Sequence, residues 1–209
     1  MPEITYMHLE GRINNPQARI EPVGIILHYI GNPGTSAKAN ANYFAHVNSQ
    51  VSVNYIVDDN EIIEIIPPYM KSYGTSSGEY NGKYIQIEMC HKDAAGVISE
   101  GTLENTVWLC RKLIGEYRCR DIIRHYDVTG KICPKWYVEH PNEWEALRAR
   151  ILKEEEEMDN TPSDWAKEAV SWALGNGLIH GDQNGNLSLH ENVSLEKLLV
   201  ILKRYDDVK

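Results

Sequence analysis

Basic residues are in short supply. Against 30 Asp and Glu stand only 21 Lys and Arg, a formal charge of −9 over 209 residues, and that deficit argues against a nucleic-acid partner, whose phosphates are met by clustered Lys and Arg. Cysteine is scarce too. Cys90, Cys110, Cys119 and Cys133 are too few for a disulfide-built scaffold and lack the spacing of paired CxxC zinc ribbons. They read as reduced thiols, with one a candidate ligand. Long apolar runs are missing: the longest, around Val23 to Ile30, falls far short of the ~20 residues that span a bilayer. The first ten residues show no basic stretch followed by an apolar one, so the expectation is synthesis in the cytoplasm without a signal peptide and no membrane insertion. No HExxH helix is present, which sets aside the zinc peptidases built on it.

What is present can fill a core. With 42% hydrophobic residues, the chain suits one ordinary domain and a smaller one. Val23 to Tyr29 is almost continuously apolar until His28, as in a strand buried on both faces. Beyond the turn formers Gly31-Asn32-Pro33-Gly34, helical spacing of Ala37, Ala41, Phe44 and Ala45 predicts a helix from about Ser36 to Asn48. Val51 to Val57 and Glu61 to Ile66 read as a hairpin about Asp58-Asp59-Asn60. Tyr69 to Gly82 reads as a long functional loop. A strand from Lys83 to Met89 sets Tyr84, Gln86 and Glu88 on one face.

Leu103, Val107, Cys110, Ile114 and Tyr117 mark a helix over about Thr102 to Tyr117, and Asp121 to Arg124 is a short strand. A second helix opens at Asn142 behind Pro141, with Glu145 as a capping-box partner, and buries Trp144, Leu147 and Ile151. The run Glu154 to Glu157, with Met158 to Pro162, is read as a frayed acidic linker over residues 154–161. It separates a first domain, 1–153, from a small all-α module, 162–209. In that module Trp165, Ala169 and Trp172 mark one helix. Leu195, Leu198, Leu199 and Leu202 mark another, with Ser194 as its cap. Asp182, Asn184 and Asn186 alternate like the start of a calcium loop, but no glutamate stands at its twelfth position, so a plain turn is the reading.

Catalytic zinc sites use three protein donors and keep one position open. His28 ends a buried strand, and Arg124-His125 and Lys131-Ile132-Cys133-Pro134 lie close together ninety-seven and more residues later. A single histidine in an apolar strand is more often a hydrogen-bonded core residue. The metal reading therefore needs a fold that brings His28 to His125 and Cys133. Cys90, Cys110 and Cys119 are read as packing residues.

Gly24-Ile-Ile-Leu-His28-Tyr, Asn81-Gly-Lys-Tyr-Ile-Gln-Ile-Glu88, Arg124-His125 and Gly130-Lys-Ile-Cys-Pro134 together resemble the landmarks of the type 2 N-acetylmuramoyl-L-alanine amidase family, which includes phage lysins and peptidoglycan recognition proteins. The resemblance covers residues 20 to 152. It implies a mixed α/β fold, a central β-sheet flanked by helices. It implies one zinc ion on His28, His125 and Cys133, with Glu88 as general base and acid and Lys131 as oxyanion stabiliser. The implied reaction is hydrolysis of the amide between the lactyl group of N-acetylmuramic acid and L-alanine, with peptidoglycan as partner and the bacterial cell wall, reached after release, as the place of action. The alternative within the same fold is a protein that binds peptidoglycan without cutting it.

Several positions depart from the family pattern. Val53-Asn54-Tyr55 and Ser72-Tyr73 replace residues that contact substrate in relatives, and Gln86 stands where a glycine is usual, which would narrow the groove or point the side chain at solvent. Asp127 is a candidate acceptor for an imidazole. Residues 162 to 205 resemble a single S-layer homology repeat, which implies wall attachment or homo-oligomerisation.

Overall fold

The computed structural model describes residues 2–10, 14–153, 160–182 and 185–207. The chain forms two compact units, Met1–Lys153 and Glu154–Lys209. Most of the acidic stretch read as a linker, residues 154–159, and Asn184 of the turn lie outside the described residues.

The first unit is built on one six-stranded sheet in the order β1-β4-β3-β5-β2-β6. The strands are β1 (Ile4–Tyr6), β2 (Gly24–Tyr29), β3 (Tyr55–Val57), β4 (Ile62–Glu64), β5 (Tyr84–Met89) and β6 (Asp121–Arg124). Only β3 and β4 run antiparallel, as the hairpin composition predicts; every other pairing is parallel. β2 lies between β5 and β6, and Ile25, Ile26 and Leu27 are wholly buried, which accounts for its unbroken apolar run. A Cβ on Gly24 would stand 2.2 Å from the Asp121 carbonyl oxygen, so only glycine lets these strands approach there.

The helices are α1 (Ala37–His46), α2 (Gly78–Asn81), α3 (Glu100–Tyr117), α4 (His125–Thr129), α5 (Lys135–Glu139) and α6 (Pro141–Leu152). The two faces of the sheet differ. Ile25, Leu27, Ile85, Ile87 and Met89 pack with Leu109, Cys110 and Leu113 of α3 and Trp144, Leu147 and Ile151 of α6. On the other face Ala37, Ala41 and Phe44 of α1 cover Ile56, Ile63 and Ile65. That face carries Ile26 and His28 on β2 and Tyr84, Gln86 and Glu88 on β5, by the two-residue period of a strand. The mixed sheet with flanking helices is the fold class that the family resemblance implies.

Several boundaries differ from those expected. β1 is absent from the sequence reading because three residues carry no period, and its strand character comes from parallel pairing with β4. α6 starts at Pro141 behind His140, without a side-chain cap, rather than at Asn142 with Glu145 reaching back. Proline suits this first turn because its missing N–H would have no helical partner. The long loop from Tyr69 contains α2, capped by Ser77, and a bridge from Met70 to Arg19. α4 and α5 are five residues each, too short to show a helical period. All four cysteines are free and buried.

The second unit holds a 3₁₀ turn, Asp164–Ala166, and two helices, α7 (Lys167–Gly175) and α8 (Leu195–Asp207). Ser194 Oγ accepts from Lys197 N at 3.2 Å, capping α8 as expected. Asn186 N donates to Asp182 Oδ1 at 3.0 Å and Asp182 N to Asn186 O at 2.9 Å. No described helix is long and apolar enough to cross a membrane.

Candidate metal centre

The parallel register of β2 and β5 sets His28 beside Glu88 at the carboxyl ends of both strands. β6, on the other side of β2, ends at Arg124 and delivers His125 as the first residue of α4. Asp127 accepts from Arg124 N at 2.8 Å and from Arg124 Nη2 at 2.7 Å, so it holds the opening turn of α4. It bonds the arginine rather than an imidazole, which corrects the role considered for it. The chain then returns: Tyr126 N donates to Cys133 O at 2.9 Å, folding the 130–133 loop back so that the thiol lies beside the two rings. Strand order and one tight loop thus join residues far apart in sequence.

The donor atoms of His28, His125 and Cys133 all lie within 4.8 Å of one another, and all three residues are buried. His28 Nδ1 is 3.0 Å from His125 Nδ1 and 3.9 Å from Cys133 Sγ. The rings meet at 66° with centroids 4.7 Å apart. Burial drives the His28 imidazole down from 6.5 to about 3, helped by His125. Burial and then the Lys131 charge lower His125 to about 4. Both rings are therefore neutral near pH 7 and each has a lone pair to give, as a metal ligand must. The Cys133 thiol is pushed up to about 12 by burial and by Glu88, so without a cation it keeps its proton. A thiolate here calls for a positive partner.

Glu88 stands beside this cluster with Oε2 buried and without a hydrogen-bond partner, and desolvation raises its carboxyl to about 8, with Lys131 pulling the other way. Two neutral imidazoles, a thiol and an unsatisfied carboxyl converging in one buried spot fit a cation far better than an empty packed core, where such groups would be costly. A soft thiolate with two imidazoles is a zinc-type donor set. Lys131 is exposed on the loop before Cys133, close enough for its charge to act on both histidines and on Glu88.

One residue of the site goes unassigned in the sequence. Gln86, read as narrowing the groove or facing solvent, is wholly buried, and its Oε1 lies 2.6 Å from His28 Nε2. The departure from glycine was the available signal. Asn54 and Ser72, where substrate contacts are expected in relatives, are likewise buried: Ser72 Oγ donates to Asn54 Oδ1 at 3.0 Å, and Asn54 Nδ2 donates to Met70 O at 2.9 Å. In this chain they hold the 66–72 segment.

Residues 18–136, more than half of the chain, match the family model described as N-acetylmuramoyl-L-alanine amidase. The chain belongs to that family. Among curated relatives of this amidase family, CwlL of Bacillus licheniformis is 33% identical over 146 residues, 61% of this chain and 40% of CwlL. XlyA of Bacillus subtilis (strain 168) is 29% identical over 147 residues, 68% of this chain and 48% of XlyA. The chain thus spans less than half the length of these relatives. Among solved structures, a mutant endolysin from Bacillus subtilis is 27% identical with a TM-score of 0.63, over 72% of this chain and 99% of that one. The catalytic domain of XlyA is 25% identical with a TM-score of 0.63, over 71% and 99%.

Proposed function

We propose that the protein is a zinc-dependent N-acetylmuramoyl-L-alanine amidase that hydrolyses the amide between the lactyl group of N-acetylmuramic acid and the first L-alanine of the peptidoglycan stem, in the manner of an endolysin or autolysin. The observation that carries this reading is the convergence of the His28, His125 and Cys133 donor atoms beside the unpartnered carboxyl of Glu88. Family membership supports it.

His28, His125 and Cys133 hold the zinc, which when bound polarises the scissile carbonyl and lowers the pKa of a water to about 7. Glu88 is half-buried, and its buried Oε2 hydrogen-bonds to nothing, so that oxygen is free to take a proton from the attacking water. The raised affinity of its carboxyl for a proton suits a group that accepts one and then returns it to the leaving amine nitrogen. Lys131 brings a positive charge to the rim, where it offsets the negative charge that builds on the carbonyl oxygen. No side chain needs to form a bond to the substrate.

Purified peptidoglycan is the substrate for the test. The parent should hold one zinc per chain and release new N-terminal alanine, and Cys133→Ser should lose both. Zinc without alanine release would move the assignment to a binding protein of the same fold; Cys133, retained as a third donor, favours the enzyme.

For the second unit we propose wall attachment or self-association, on the pattern of an S-layer homology repeat. Neither α7 nor α8 has a buried residue, while Trp165 is 89% and Leu195 70% exposed. Such an apolar surface is a contact surface in most soluble proteins. Paired Leu199→Glu and Leu202→Glu should reduce retention on walls or molecular mass in solution; if neither moves, both roles are rejected.

A further inference from the structure

We propose that Gln86 is a positioning residue for His28: it holds the imidazole proton on Nε2 so that Nδ1 presents its lone pair to the cluster, and Asn81 and Gly74 hold Gln86 in that pose. The inference rests on the metal reading above and adds how that site is kept in register.

The backbone N–H and C=O of Thr75 have fixed roles as donor and acceptor. Thr75 N, a donor, bonds Asn81 Oδ1 at 2.9 Å, and Thr75 O, an acceptor, receives Asn81 Nδ2 at 2.8 Å. The Asn81 amide therefore has one orientation, with its oxygen toward Gln86. Gln86 Nε2 donates to that oxygen at 3.3 Å, so Gln86 must turn its own oxygen to His28. An amide oxygen only accepts, and at 2.6 Å from His28 Nε2 it requires the proton to be there. Nδ1 is then bare and points at His125 Nδ1 and Cys133 Sγ. A chain of hydrogen bonds from the 75–81 segment sets a histidine tautomer, which carboxylates or backbone carbonyls commonly do around metals.

The pose is also fixed sterically. A Cβ on Gly74 would lie 2.6 Å from Gln86 Oε1, 2.8 Å from Cδ and 3.0 Å from Cγ. Those are its three nearest neighbours, so glycine is needed at 74 because glutamine occupies 86. The Gln86 backbone is held from the opposite side, with N donating to Asn54 Oδ1 at 2.9 Å and O accepting from Asn54 N at 2.9 Å.

The test uses the full chain, with zinc affinity read by chelator competition and the His28 tautomer read by long-range 1H–15N correlation in zinc-free and zinc-loaded protein. Gln86→Leu should weaken zinc binding roughly 10- to 100-fold, the range for lost outer partners of ligands, and should remove the Nε2–H preference. Gln86→Glu, which keeps an acceptor, should stay near the parent. Gly74→Ala should weaken binding in the parent but have no further effect in a Gln86→Ala background. Zinc binding and tautomer both unchanged in Gln86→Leu would overturn the proposal. Should that variant not fold, the Gly74→Ala pair decides the question: equal losses in both backgrounds overturn it. A parent that binds no zinc would instead end the metal reading, and its tautomer in the zinc-free state would still decide the role of Gln86.

Discussion

The two units put their polar and apolar groups in opposite places. In the first, Ile25, Leu27, Ile85 and Ile87 are sealed between sheet and helices, and polar groups such as His28, Gln86 and Asn54 are buried with them. Burial there is tolerated because those three are hydrogen-bonded. In the second, Leu195, Leu199, Leu202 and Trp172 are exposed, and among the described residues of that unit only Leu178 is buried. A sheet with helices on both faces makes an interior large enough to hold chemistry. A pair of short helices does not, and its apolar residues stay exposed.

The sharpest way to break this contrast is at the buried polar cluster. Cys133→Ser should abolish zinc content and alanine release together while leaving the far-ultraviolet circular dichroism of the parent, because the thiol serves the site rather than the core. Next, Glu88→Gln should keep zinc and lower kcat on the order of 10² to 10⁴-fold, the usual contribution of a positioned proton acceptor. An unchanged kcat would remove Glu88 from the mechanism.

Truncating apolar residues compares the units directly. Leu109→Ala, in the wholly buried part of α3, should destabilise the first unit by roughly 2 to 5 kcal/mol. Leu199→Ala, on the exposed side of α8, should change the stability of a monomeric chain by no more than about 0.5 kcal/mol. A large effect at Leu199 under conditions where the chain self-associates would identify the covered face.

Acid sharpens the contrast further. In the zinc-free chain His28 and His125 titrate at about 3 and about 4 in the fold against 6.5 outside it. The unfolded state then binds more protons across that interval, so stability is full above pH 6.5 and falls as pH drops toward 4 and 3. Glu88, raised from 4.5 to about 8, acts with the opposite sign: its contribution is full below 4.5 and is lost as pH rises through 8. Denaturant midpoints of the zinc-free parent should therefore decline between pH 6.5 and 8 relative to Glu88→Gln. In the second unit Ser194→Ala should cost α8 about 1 kcal/mol of capping, read as reduced helicity.

Much of the fold was legible because hydrophobic period reports burial. The unbroken run of β2, the alternation of β5 and the helical spacing of α1, α3 and α8 each record the surface that the element covers. β1, α4 and α5 left no such record, since three to five residues span too little of any period and their conformation depends on pairing and loop closure. The proposed zinc ligands were readable only through the family landmarks, and the one sign of Gln86 was its departure from glycine.

The sequence by itself determined which residues could bind a metal or move a proton, and which stretches had to be buried. Tertiary structure alone decided that His28, His125 and Cys133 meet, because strand order places β2 between β5 and β6 and a loop returns from α4. It decided also that Gln86 faces His28 rather than solvent. The physical reason is the same in both cases. Periodicity states that a face is covered, whereas the identity of the covering group depends on contacts such as that of His28 with Cys133, 105 positions apart, which no local pattern encodes.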